Sequence, residues 1–261
     1  MKEKKQDKKQ HFKRKRGKGR DYFSVSSLRT YVECPKMYHF RYVLNVKEPE
    51  IPEYLHFGSV IHEALAALYE GRDVRRVFMR AISRNKDKVR WYDSYESSRL
   101  DGWTLLYYYI KNQYHIEPLE VEKEILVEVK NPFNPKEKLP LKMMAVIDVV
   151  DKRDIIIDHK VVTTPFTKDE AERKTQATAY WIAFEEHYGR SPKSFWYNQL
   201  VRRKFSPRIE EPLHIKKDKY DKFAFFEYAK EILQKIENKD FTPRRSINCK
   251  NCPYRLLCIQ K

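Results

Sequence analysis

The run L-K-M-M-A-V-I-D-V-V-D-K-R-D-I-I-I-D-H-K-V-V, Leu141 to Val162, decides the fold. Two β-rich segments, 141–150 and 154–162, flank the charged turn D-K-R and read as a hairpin with one strand central in a sheet. Asp148 is expected to end the apolar strand M-M-A-V-I-D, and Asp158 and Lys160 sit two apart near the end of the second strand. Residues i and i+2 of a strand face the same side, so Asp158 and Lys160 project together, and an antiparallel neighbour can set Asp148 opposite them. Two carboxylates and an ammonium at a sheet edge are costly as packing alone, because buried charges need partners. A hard divalent cation is one such partner. Mg²⁺ takes one or two carboxylates and completes its octahedron with water and substrate phosphate. It would lower the pKa of a bound water and stabilise charge on a scissile phosphate, with Lys160 orienting the water or stabilising the developing oxyanions. The tripeptide D-x-K is common by chance, and standing alone it is better explained as a structural Asp–Lys pair.

Outward from the hairpin the pattern is mixed. L-E-V-E-K-E-I-L-V-E-V-K, from Leu119, alternates with period two, as a strand with one wet face does. N-P-F-N-P-K-E-K-L-P is turn material. A helix is expected from Lys168 to Tyr188, a further strand over S-F-W-Y-N-Q-L-V-R-R-K (194–204), and a long amphipathic helix from Tyr220 to Lys239. Upstream, Ser24, Ser26 or Ser27 can cap a helix carrying Leu28, Tyr31 and Val32 on one face, which Pro35 interrupts or restarts. Residues 57–115 read as mostly helical. The order is helices, three strands, helix, strand, helix: an α/β chain with a mixed central sheet flanked by helices and a helical insertion before it.

The formal charge is +17, and the first twenty residues hold eleven Lys or Arg against two acids. That stretch, 1–20, is expected to be a disordered basic tail, either a solubilising arm or a non-specific phosphate binder. The remainder still carries +8, which points to a polyanionic partner. No run of eighteen apolar residues and no hydrophobic signal core are present, so neither a membrane span nor a secreted precursor is expected, and the location expected is cytoplasmic. Aromatic residues make up 14% of the chain; W-Y-D-S-Y near Trp91 and the Tyr107–Tyr109 cluster offer stacking surfaces for unpaired bases, although core packing is the simpler role.

The four cysteines, Cys34, Cys249, Cys252 and Cys258, sit at the two ends of the folded part. A reducing compartment disfavours disulfides and directs them to a metal. C-x₂-C with five residues before the third tail cysteine suits either tetrahedral Zn²⁺ or a 4Fe–4S cluster. Zinc is the commoner structural ion, but zinc modules usually join two short C-x-x-C knuckles, and here one is missing.

Four motifs in order extend the hairpin: G-S-V-I-H (Gly58 to His62), A-V-I-D (Ala145 to Asp148), D-H-K (Asp158 to Lys160) and Q-A-T-A-Y (Gln176 to Tyr180). Together they resemble the PD-(D/E)xK nuclease superfamily in its RecB-like branch, which includes the AddB nuclease and the CRISPR adaptation nucleases with an iron–sulfur cluster. The resemblance spans roughly residues 24 to 258. Ala145 replaces the usual glycine, and Val161-Val162 stands where the family often has an aromatic residue and threonine.

The resemblance implies a restriction-endonuclease-like core and a nuclease domain over 21–261, with a helical part (57–115), a catalytic sheet and helix (119–204) and a cluster-binding tail (245–261). Asp148 and Asp158 would be metal ligands, with His62 and the backbone carbonyl of His159 as further ones, for Mg²⁺ or Mn²⁺. Lys160 would serve the nucleophilic water, and Gln176 and Tyr180, four apart on one helix face, would position the DNA strand or the lysine. Iron–sulfur members have one cysteine before the core and three after it, which implies a 4Fe–4S cluster on Cys34, Cys249, Cys252 and Cys258, clasping the two ends together. The implied activity is metal-dependent DNA exonuclease, with endonuclease activity also open, on single-stranded or free-ended DNA. The implied settings are recombination, end processing or CRISPR adaptation, with helicase or other proteins of those systems as partners. The competing reading is a catalytically idle DNA-binding module or a nuclease subunit of a larger complex.

Overall fold

The structure, a computed structural model, describes residues 21–112, 114–203 and 206–259. The expected tail at 1–20, and Lys204 in the expected fourth strand, lie outside the described residues.

Hairpin pairing organises a seven-stranded mixed sheet. The Lys142–Asp151 strand runs antiparallel to Pro118–Val127 on one side and to Ile155–Val162 on the other. Ile155–Val162 then runs parallel to Ser194–Val201 from Ile155↔Ser194 to Val162↔Val201. Three short strands were not anticipated: Tyr22–Phe23 beside Lys142–Met143, and Arg208–Ile209 and Leu213–Ile215 against Ser194–Val201. Alternation in and just after the strand from Pro118 has its physical outcome, because Ile125, Val127 and Val129 are buried while Glu124, Leu126, Glu128 and Lys130 between and beside them are more exposed.

The two faces of the sheet carry different cores. Ala145, Ile147, Phe195 and Tyr197 pack with Ala177, Trp181 and Phe184 of the Thr175–Tyr188 helix and Phe226 and Leu233 of the Lys219–Glu237 helix. Leu200 joins the core of the helical insertion, built from the Glu53–Tyr69, Val74–Ser83 and Tyr95–Asn112 helices. There Gly102 is required by close approach: a Cβ would stand 2.9 Å from the Phe78 ring. Arg202 ties insertion to sheet. Its guanidinium reaches buried Glu53 at 2.7 Å and Asp101 at 3.1 Å and lies 4.0 Å from the Phe57 ring centroid.

Some expectations are corrected. Asp148 does not end its strand, which continues to Asp151. Buried Asp151 holds the turn, accepting from the amides of Glu117 and Arg153 at 2.8 Å each and from the Arg153 guanidinium. The helix expected from Lys168 to Tyr188 is two, Lys168–Glu172 and Thr175–Tyr188. The ammonium of Lys217 takes the Glu172 carbonyl at 2.5 Å, and Lys174 turns to extended backbone before the second helix starts. The first helix, Val25–Glu33, does start at Ser24 in a reciprocal cap with Ser27, but Val32 is exposed while Leu28 and Tyr31 are buried.

Candidate active site

Hairpin pairing stops at Val149↔Ile157, one step short of Asp148 and Asp158. From there Ile155–Val162 stays with Ser194–Val201, and the two hairpin strands part. The Asp148 carboxylate occupies the split, where its Oδ2 accepts the His159 amide at 2.7 Å. Asp148 is 9% exposed and Asp158 1%, so both acids lie within protein.

Alternation then sorts D-H-K between the faces. Asp158 and Lys160 turn toward the Thr175–Tyr188 helix. Gln176 donates its Nε2–H to Asp158 Oδ1 at 2.9 Å and to the Tyr180 hydroxyl at 3.0 Å. Lys160 Nζ stands 2.6 Å from Asp158 Oδ2, an oxygen that is buried and accepts no hydrogen bond of good geometry. The His159 side chain turns the other way, into the insertion. Its ring stacks on Tyr69 at 5.7 Å and 13°, and its Nε2 is 3.3 Å from the Tyr69 hydroxyl. Tyr69 in turn bonds Tyr109, whose hydroxyl accepts from Asn198 Nδ2 at 3.1 Å. Tyr109 is core, as the simpler reading of the aromatic cluster had it, whereas Tyr107 and Tyr108 are exposed.

The helix Glu53–Tyr69 brings His62 over the split, its Nδ1 3.3 Å from Asp148 Oδ2. Burial opposes a charge on His62, but Asp148 and, more weakly, Asp158 outweigh it and raise its pKa to about 9. Burial likewise disfavours the Asp148 anion, yet His62, His159 and Lys160 hold its pKa low. Asp158 is pushed up to about 6 by burial and by the Asp148 charge, against the pull of Lys160. Two carboxylates and an imidazole thus converge at the split, a donor set that suits a divalent cation.

Sequence reasoning missed Glu122. It stands across the ladder from Asp148, its neighbours Val121 and Lys123 paired with Val149 and Ile147. His62, Glu122 and Asp148 each offer a ligand atom, all within 4.8 Å of one another, the one such group among the described residues. Two carboxylates and an imidazole are donors that would hold a Mg²⁺ or Mn²⁺ ion. Glu122 has φ +49°, a left-handed conformation that costs an ordinary residue energy inside a strand. Asp158 is outside that group; it adjoins through the Asp148 charge and is held by Gln176 and Lys160.

The C-terminal tail lies against the first helix. Arg244 bonds the Val32 carbonyl, Asn248 Nδ2 donates to Glu33 Oε1 at 3.2 Å, and Cys34 follows Glu33 directly. All four cysteines are free thiols, and they do not form a mutual ligand group within 4.8 Å. Burial raises the pKa of Cys252; the Tyr254 amide opposes this, and Cys34, Cys249 and Cys258 add to the rise.

The central hairpin of the mixed sheet thus splits at two aspartates, beside a histidine-bearing helix and a lysine two residues on. The family model of the PD-(D/E)XK nuclease superfamily matches residues 22–259, and the chain belongs to that superfamily, whose members are metal-dependent nucleases. Among solved structures, a candidate exonuclease from Eubacterium rectale is similar over 90% of this chain and 88% of its own, with a TM-score of 0.62 and 14% identity, a likeness of fold. SSO0001 aligns with 90% of this chain and 95% of its own at 16% identity and a TM-score of 0.37. None of the curated proteins matches the chain. No helix among the described residues is long and apolar enough to cross a membrane.

Proposed function

We propose that the chain hydrolyses phosphodiester bonds of DNA, acting as an exonuclease on single-stranded or free-ended strands with Mg²⁺ or Mn²⁺. The observation that carries this is the convergence of His62, Glu122 and Asp148 at the hairpin split, with the buried Asp158–Lys160 ion pair beside it. When bound, the cation supplies a water of lowered pKa and a counter-charge for the scissile phosphate. His62, Asp148 and Glu122 would hold it, with Asp158 and the main-chain carbonyl of His159 as further ligands. Lys160, paired with Asp158, orients the attacking water and faces the developing oxyanion. Gln176 fixes the Asp158 carboxylate, and Tyr180 fixes Gln176. Lys174 and Arg29 extend the positive field of Lys160: burial, then Arg29 and Lys160, lower the pKa of Lys174. That approach suits a strand of phosphates.

Cys34, Cys249, Cys252 and Cys258 take a 4Fe–4S cluster in this reading. The layout of one cysteine before the nuclease core and three after it supports this reading. Iron and sulfide analysis of anaerobically purified protein supports the cluster; stoichiometric zinc without iron contradicts it.

The activity is tested by incubating end-labelled single- and double-stranded DNA, with a circular control, in Mg²⁺ or Mn²⁺. Loss of linear but not circular DNA supports the exonuclease reading. Binding without cleavage under all these conditions would make the chain an idle DNA-binding module.

A further inference from the structure

An open cavity of about 460 Å³ lies between the turn that follows the His39–Val43 segment and the turn at Asn85–Lys88. Arg41, Lys47 and Lys88 line it against one acid, Glu48. None of these belongs to the Asp148–Asp158 constellation. Arg41 gives one guanidinium nitrogen to Glu48, while its Nε is buried without a hydrogen-bond partner. Arg41 is held in the cavity wall by Glu48 and Tyr254, which fixes its charge beside the cavity. The Lys47 and Lys88 side chains are exposed and have no ion-pair partner among the described residues. Asn45 and Asn85, both on the rim, have left-handed backbones with φ of 53° and 59°, which shape the two turns that face one another.

The C-terminal tail completes the wall. Tyr254 is 2% exposed, its hydroxyl donates to the Val46 carbonyl at 3.1 Å, and its ring packs on Phe40 at 5.4 Å. It follows Cys252-Pro253 directly, so docking of the cysteine tail and the shape of this cavity depend on each other. The volume lies in the range of small-ligand sites, larger than one phosphate group needs. Three cations against one acid select an anion. A guanidinium and two exposed ammoniums around one cavity suit a phosphate ester.

We infer that this cavity binds a nucleotide phosphate, delivered by the DNA strand, at a second anchoring site built from Arg41, Lys47 and Lys88. The DNA source rests on the nuclease reading above; the cavity's selectivity for phosphate does not. The test is binding of a fluorescent 5′-phosphorylated single-stranded oligonucleotide to the full chain in excess EDTA, read by anisotropy across a salt series. The variants are Lys47→Ala/Lys88→Ala, the rescue pair Lys47→Arg/Lys88→Arg, and the control pair Lys152→Ala/Lys235→Ala outside the cavity.

The expected result is weaker binding and a log K against log salt slope shallower by roughly 0.7 to 1.4 for the cavity pair, one to two single-strand phosphate contacts. The arginine pair restores the slope and the control pair retains it. Competition by dAMP against wild type but not against the cavity variant assigns the site to a free nucleotide; without it, the phosphate belongs to the strand. Equal loss in the cavity and control pairs overturns the inference, as does competition by polyglutamate equal to that by oligonucleotide. Because no cleavage occurs in EDTA, a chain that binds this way but never cuts DNA retains the cavity and loses the nuclease reading. A chain that cuts but shows no slope difference loses only the cavity.

Discussion

Gln176 holds Asp158: its Nε2 donates to Asp158 Oδ1 at 2.9 Å from the first turn of the Thr175–Tyr188 helix. One carboxylate oxygen is thereby fixed from the helix side, and the other is left facing Lys160. Replacing Gln176 by Ala frees the carboxylate to rotate. Partners that orient a ligand in this way are typically worth about 10- to 100-fold in metal affinity or activity. Calorimetric Mn²⁺ binding and cleavage rate should both fall in that range for Gln176→Ala. Tyr180→Phe, which removes only the hydroxyl that accepts from Gln176, should have a smaller effect.

Glu122 stores backbone strain at the site. Glu122→Gly relieves the left-handed conformation and removes the carboxylate at once. The metal-free protein should gain up to about 1 kcal/mol of stability, while the rise in Tm on adding Mn²⁺ shrinks. Glu122→Gln should lose the metal response without the gain. Thermal unfolding with and without Mn²⁺ reads both.

Asp151 governs the acid limb of stability. Burial pushes its pKa up, but hydrogen bonds from Arg153 and the Glu117 amide outweigh this and hold it below the ordinary value. A depressed carboxylate stabilises the fold above its unfolded pKa, and that stability is lost as pH falls through the folded value. Asp151→Asn should cost about 2–3 kcal/mol near pH 7. Its deficit relative to wild type should shrink below about pH 4. Urea midpoints across pH give the measurement.

Arg202 carries the join between insertion and sheet. Arg202→Ala leaves the carboxylate of Glu53, 1% exposed, without its cation and should cost about 3–5 kcal/mol. Arg202→Met in a Glu53→Gln background should recover much of this, since no unpaired buried charge remains. Denaturant titration of the three variants settles the sign.

Sequence alone discloses what depends on local periodicity. Two-residue alternation and the D-K-R turn made the hairpin legible, and the same alternation set Asp158 and Lys160 on one face with His159 on the other. The Q-A-T-A-Y spacing made Gln176 and Tyr180 neighbours. Glu122 was hidden because Glu120, Glu122 and Glu124 read alike in a wet-faced strand, and only the tertiary fold imposes its left-handed turn toward Asp148. Tyr69 falls seven residues after His62, on the same helix face, a signal that was available. Its chain of contacts to Tyr109 and Asn198 was not, since it joins residues 40 and 89 positions apart. The helix break before Thr175 depends on Lys217, 45 residues downstream of Glu172, and no local propensity encodes that.

A hydrolytic metal site at the hairpin split requires both Asp158 and Lys160. Wild type, Asp158→Asn and Lys160→Ala are compared for release of labelled nucleotide from linear DNA in Mn²⁺, with circular dichroism confirming that each variant is folded. Each substitution should lower the rate by at least about 10²- to 10³-fold, the scale of removing one electrostatic group from a catalytic site. Cleavage by folded Asp158→Asn and Lys160→Ala at the wild-type rate would contradict that requirement.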